Sequence, residues 1–135
     1  MTIYYVDPAA SGSNNGADWT NAWTDFQSAL DTAVAGDRVY CRGTQTISAD
    51  LDVDTNSGDT TSGYIKFIGV NASGVNDGTR FVIDGQSNTI SCLLFNAQLL
   101  LYFENFELKD AQRGISGITS HSRRIVFINC SSHGH

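Results

Sequence analysis

Apolar and polar residues alternate in short runs through the second half of the chain, and the runs share one shape. Ile65-Lys66-Phe67-Ile68-Gly69, Phe81-Val82-Ile83-Asp84-Gly85, Leu101-Tyr102-Phe103-Glu104-Asn105 and Ile125-Val126-Phe127-Ile128-Asn129 each carry apolar residues first and third and end at Gly or Asn. Their third positions, Phe67, Ile83, Phe103 and Phe127, follow one another at steps of 16, 20 and 24 residues. Alternate side chains of a strand share a face, so Leu101 and Phe103 turn inward while Tyr102 and Glu104 turn outward. After Asn105 the alternation resumes, with Phe106 and Leu108 inward. Asn tolerates the left-handed conformation and hydrogen-bonds nearby backbone, so strand–Asn–strand predicts a bend rather than a hairpin. Asp84-Gly85 predicts a turn in the same place. Recurrence at this spacing predicts a solenoid with one run per rung. The four runs are expected to stack in a single parallel sheet, with Asn105 beneath Asn129 in an amide ladder.

The first half reads differently. Ile3–Val6 predicts a strand, and residues 9–21 a polar Gly/Ser/Asn loop. Ala22, Trp23, Phe26, Ala29, Leu30, Ala33 and Val34 then form an apolar stripe at helical spacing, which predicts a helix from about Asn21 to Ala35. Thr20 or Asn21 is expected to cap it and Gly36 to end it. Arg38–Cys41 predicts the first rung strand, with a second short strand around Thr44–Ile47. Residues 48–62 and 70–80 are polar, turn-rich excursions.

The strand–Asn–strand runs resemble the right-handed parallel β-helix of the pectate-lyase-like superfamily. The opening YYVDPAASGSNNGADWTNAWTDFQSALDTAVAGDRVYCRGT is similar to the region preceding many bacterial and phage β-helices. The resemblance implies an all-β, right-handed parallel β-helix with an N-terminal capping α-helix. Residues 1–37 would supply the first strand, loop and cap, and residues 38–135 about four rungs, incomplete at the C-terminal end.

Charge narrows the partners. Asp and Glu number 14 against 8 Lys and Arg, the net charge is −6 and the sequence pI about 4.7, which argues against nucleic acid and anionic membranes. No apolar run reaches membrane-span length. The start MTIYYVD lacks a basic region followed by an apolar one, so the reading is a removed signal or a protein released by lysis, as virion proteins are. The expected location is a virion or the extracellular space. Cys41, Cys92 and Cys130 show no metal-binding spacing, and Cys130 reads as a small core residue.

Four groups carry candidate chemistry. Asp50, Asp52 and Asp54 alternate on an extended segment and would point the same way, an arrangement that suits Ca²⁺, although the EF-hand pattern is absent and a solvated acidic loop reads better. No other cofactor is required. Asp84 is more simply a turn residue than one of a glycosidase carboxylate pair with Glu104 or Asp110. Arg113, His121, Arg123, Arg124, His133 and His135 form a basic group. By the resemblance, Arg113 or Arg124 is the kind of residue a polysaccharide lyase uses to abstract a proton beside a uronate carboxylate. Ser132-His133-Gly134-His135 shares the GH of polygalacturonases, whose NTD and DD motifs are absent here. Among the aromatics, Trp19 and Tyr102 are expected to be exposed for stacking on sugars.

No catalytic signature is complete. The leading expectation is a β-helical recognition module of a phage virion appendage that contacts glycans. The alternatives are the N-terminal part of a polysaccharide lyase or hydrolase, and a structural repeat module of a bacterial surface protein. Val82, Tyr102 and Val126 are expected to form an outward apolar stripe that packs against identical copies, most plausibly in a trimer, or against other virion proteins.

Overall fold

The computed structural model describes residues 1–118 and 124–134. It is mostly β, with strands β1 (Ile3–Val6), β2 (Arg38–Cys41), β3 (Thr44–Thr46), β4 (Asp52–Val53), β5 (Ile65–Gly69), β6 (Phe81–Phe95), β7 (Leu101–Glu104), β8 (Phe106–Ser116), β9 (Ile125–Ile128) and β10 (Ser131–His133). The helix α1 spans Phe26–Thr32. Every strand ladder is parallel. The first sheet runs β1-β2-β5-β7-β9 and the second β10-β8-β6-β3, with β4 also on β6. From β2 onward, each strand of the first sheet is followed by a strand of the second. No helix of the described residues is long and apolar enough to cross a membrane.

Alternation explains the core. Tyr4, Val39, Phe67, Phe103 and Phe127 are register partners on the inner side of the first sheet. In-register parallel strands lie about 4.8 Å apart, which is also a stacking distance for rings. Phe67 and Phe103 accordingly stack at 5.0 Å and 17°, and Phe103 and Phe127 at 5.3 Å and 14°. From the second sheet, Phe81 and Phe106 meet edge to face at 5.4 Å. Phe26 of α1 touches Phe67, Phe81 and Phe106, each at 5.5 Å. Burying each such ring contributes about 1.5–3 kcal/mol.

Three of the four aligned runs share the first sheet, as the alternation predicts, but Phe81–Gly85 does not. It opens β6 in the second sheet, where Phe81 pairs with Phe106 and Val82 with Glu107. Phe67 is therefore the register partner of Phe103 rather than of Ile83. Inner–outer alternation is the same in both sheets, and residues 70–80 are inserted at the corner where Asn105 alone suffices in the next layer. Val82 consequently lies between Thr44 and Glu107, away from Tyr102 and Val126, and the expected three-residue apolar stripe does not exist.

The helix is shorter than its stripe predicts. Asp25 is the N-cap, its Oδ1 accepting from Gln27 N at 3.0 Å. Residues before it are claimed by β1: Trp23 N donates to Tyr5 O at 3.0 Å, and Asp7 N to Trp23 O at 2.9 Å. That pairing makes Trp23 strand-like, and its ring stacks on Tyr4 at 4.8 Å. Phe26, Ala29 and Leu30 are buried as the stripe requires, whereas Val34 lies past the helix and is 51% exposed. The three cysteines are free, Cys41 and Cys92 buried and Cys130 half-buried against the core.

Candidate functional site

Outward positions of the first sheet form two rows. Ile3, Arg38, Lys66, Tyr102 and Val126 are register partners in one, and Tyr5, Tyr40, Ile68, Glu104 and Ile128 in the other. The polar part of this face is organised around Tyr102. Its ring lies 6.4 Å from that of Tyr64, which precedes β5, at 64°. The Lys66 ammonium lies 5.4 Å from the Tyr102 centroid, within cation–π reach.

The Tyr102 hydroxyl donates to Glu104 Oε1, two residues along the same face. Asn76 Nδ2, from the 70–80 loop, donates to Glu104 Oε2 at 2.9 Å. The Tyr102 hydroxyl, then Asn76 and the Lys66 charge, hold the Glu104 carboxyl below its ordinary range. The same bond to Glu104 pushes the Tyr102 phenol up to about 12, because ionisation would forfeit it and oppose two negative charges. Around neutrality Tyr102 is thus a protonated donor in a fixed orientation, beside an ionised Glu104.

Beyond Lys66 the face opens into a recess of about 510 Å³, bordered by Arg38, Lys66, Tyr64, Ser62, Gly36 and Gly63. A flat ring, a hydroxyl and two cations border open space here. Those are the groups needed to stack on a sugar ring and bond its substituents.

The 70–80 loop reaches from the corner after Gly69 across the next two layers. Asn76 Oδ1 accepts from Asn105 Nδ2 at 2.8 Å, Gly78 O accepts from Asn129 Nδ2 at 3.2 Å, and Arg80 Nε donates to Asn129 O at 2.9 Å. Asn105 and Asn129 are both left-handed, with φ of 59° and 52°, and Asn129 Nδ2 donates to Asn105 Oδ1 at 2.7 Å.

The residues singled out by sequence do not form one glycan site. Trp19 is half-buried, packed on Tyr5 at 4.8 Å and under the Arg42 guanidinium at 4.2 Å. Arg42 in turn binds Asp7 at 2.8 Å, so Trp19 anchors the 9–21 loop. Arg113 is exposed on β8 opposite Ser91 in the second sheet, and Arg124 is exposed just before β9. His121, Arg123 and His135 lie outside the described residues. Val126 follows Tyr102 in the same row and is half-buried.

Asp50 spends Oδ1 on Ser91 N at 2.7 Å and Asp54 accepts from Thr55 Oγ1 at 3.1 Å. Asp52 is exposed, its carboxyl pushed up by partial desolvation and then by Asp54, Asp50 and Asp31. Among the described residues no three His, Cys, Asp or Glu side chains gather as a metal site. Asp84 Oδ1 accepts from Gln86 N at 2.8 Å and holds the bend at Gln86 and Ser87, both left-handed. Gly85 is required by proximity, since a Cβ there would meet Ala111 Cβ at 2.6 Å. On the outer side of the second sheet Lys109 lies 3.8 Å from both Asp84 and Asp110, and His133 is 2.9 Å from Glu107.

Sequence reasoning missed Arg38, Lys66 and Tyr64 as site residues. The signal was present: aligning RVYC, IKFIG and LYFE in true register puts Arg38, Lys66 and Tyr102 in one row.

No protein-family model and no curated protein matches this chain. A solved structure, a rhamnogalacturonan lyase, is similar in fold, with a TM-score of 0.62 at 15% sequence identity. The alignment covers 98% of this chain and 51% of that one, so the chain spans about half the lyase's length. The class this defines is an all-β, parallel-sheet protein of lyase-like fold.

Proposed function

We propose that the two parallel sheets are faces of a right-handed parallel β-helix and that this chain is a carbohydrate-recognition module built on it. The contact surface is the outer face of the first sheet at Tyr64, Lys66 and Tyr102. The observation that carries the reading is the fixed Tyr102 ring, held through Glu104 by Asn76 and lying 6.4 Å from the ring of Tyr64, which borders the recess. A ring oriented before binding loses little conformational entropy when a sugar stacks on it. This reading invokes no metal ion. Placement in a virion appendage is not needed for this chemistry and draws no support from the structural likeness. An immobilised oligosaccharide array tests the reading: wild-type protein retains a subset of glycans, and Tyr102→Ala weakens that retention by about tenfold. Equal retention by the two proteins would contradict it.

The likeness to a rhamnogalacturonan lyase favours a second reading, that the chain is part of a polysaccharide lyase. Elimination beside a sugar carboxylate needs a base and a cation. Lys66 supplies a cation, but the protonated Tyr102 is a poor base and Glu104 is occupied. Ultraviolet-absorbing unsaturated products released from acidic polysaccharide, and lost in Lys66→Gln, would establish this second reading.

A further inference from the structure

Arg38 and Lys66 are register partners on adjacent strands of the first sheet, with both side chains outward. Like charges directly opposite one another on neighbouring strands destabilise a sheet. In a chain with 14 acidic and 8 basic residues, a nearby carboxylate would be the ordinary remedy. It is used elsewhere: Arg42 has Asp7, and Lys109 has Asp84 and Asp110. Among the described residues neither Arg38 nor Lys66 has an ion pair within 4.0 Å.

The acids closest in sequence or on the same outer face are committed. Asp37 is buried, its Oδ1 accepting from Thr2 N at 2.8 Å and its Oδ2 from Val34 N at 3.0 Å. Glu104 faces the Tyr102 hydroxyl and Asn76, and it reaches Lys66 only as a diffuse attraction. The two cations instead border the 510 Å³ recess together with Tyr64 and the small residues Gly36, Ser62 and Gly63.

From this juxtaposition we propose that the recess is a subsite for an anionic substituent on a sugar, a carboxylate or a sulfate, bound between Arg38 and Lys66. The inference rests on the glycan reading of the same face and adds what the ligand must carry. Arg38 offers a planar fork of donors that matches either oxyanion, and Lys66 a point charge. Tyr64 and Tyr102 flank the position of the sugar ring. A protein of net charge −6 repels polyanions over most of its surface, so retention of one requires a local positive site.

Three polymers with one backbone separate the terms: dextran, carboxymethyl-dextran and dextran sulfate, titrated calorimetrically at two salt concentrations. The expected result is that at least one anionic form binds about tenfold or more tightly than dextran, with affinity falling as salt rises. Arg38→Gln and Lys66→Gln each remove most of that advantage, while Lys109→Gln on the second sheet does not. Preference for carboxymethyl-dextran assigns a carboxylate, and preference for dextran sulfate a sulfate. Equal binding of all three polymers, lost in Tyr102→Ala, would overturn the anion subsite and leave the glycan reading intact. Anion binding that Tyr102→Ala and Tyr64→Ala leave unchanged would instead overturn the glycan reading and keep the anion site. A fall with Lys109→Gln as large as with Lys66→Gln would overturn the subsite as nonspecific. Thermal unfolding gives an independent check. Without polymer, Lys66→Gln is expected to match or exceed the wild-type midpoint, and the preferred polymer raises the midpoint of wild type but not of Lys66→Gln. A wild-type midpoint that the polymer does not move would contradict the proposal.

Discussion

Asn129 donates from its side chain to the side chain of Asn105 one layer away, at 2.7 Å, and Asn105 donates onward to Gly69 O at 2.9 Å. The three residues stand at the same corner of successive layers. Asn105 and Asn129 take the left-handed conformation there, which Asn adopts at lower cost than most residues. The side chain then satisfies buried polar groups that a corner would otherwise strand.

Replacing Asn105 by Ala therefore removes two donors and an acceptor at a buried site and leaves a poor residue for a φ of 59°. The expected loss is about 2–4 kcal/mol in chemical denaturation. Asn105→Gly, which relieves the backbone, should lose measurably less. Equal losses would show that only the hydrogen bonds matter.

Trp23 and Val34 make a second pair of outcomes. Trp23→Ala deletes a ring stacked on Tyr4 and should cost roughly 3–5 kcal/mol. Val34→Ala changes an exposed residue beyond the helix and should stay within about 0.5 kcal/mol. A large effect at Val34 would restore the longer helix predicted by the stripe.

How far the fold was legible follows from these residues. Phe67, Phe103 and Phe127 declare their inner row because parallel in-register strands demand the same parity in each layer. The Asn corners declare themselves by residue type. Phe81–Gly85 was misplaced because an inner–outer pattern carries parity but not sheet identity, and the 70–80 insertion hides the corner. Trp23 misled the helix boundary because its spacing fits a helical stripe while its backbone hydrogen bonds are taken by β1. Lys66 already shares the outward position of Tyr102 in the aligned runs, and the cation pair escaped notice because RVYC begins one place later, so that its first residue, Arg38, matches the second of IKFIG and LYFE.

The Tyr102–Glu104 bond has a pH signature. The Tyr102 pKa is raised in the fold to about 12, so its stabilising contribution is complete below the unfolded value near 10 and is lost as pH rises toward 12. Glu104 is depressed, so its contribution is present above the unfolded carboxyl value and is lost as pH falls through the lower folded one. Ultraviolet titration of the native protein should show a late-ionising tyrosine component, near 12, from Tyr102. In Glu104→Gln that late component should move toward the ordinary range. No change would remove Glu104 as the cause.

Burial pushes the Cys41 thiol well up, and burial first among its causes pushes Cys92 to about 11. Both should resist a thiol reagent at pH 8 in native protein, while half-buried Cys130 reacts slowly. All three should react on unfolding. Rapid native labelling of Cys41 or Cys92 would contradict the packing of the core.

The outer face of the first sheet is the heart of the account, and residue-resolved NMR titration with carboxymethyl-dextran oligosaccharides examines it most directly. The account predicts that the largest chemical-shift changes fall on Arg38, Tyr64, Lys66 and Tyr102, with Glu104 following through its bond to Tyr102. Changes centred instead on Glu107, Lys109 and His133 would place binding on the second sheet and contradict it.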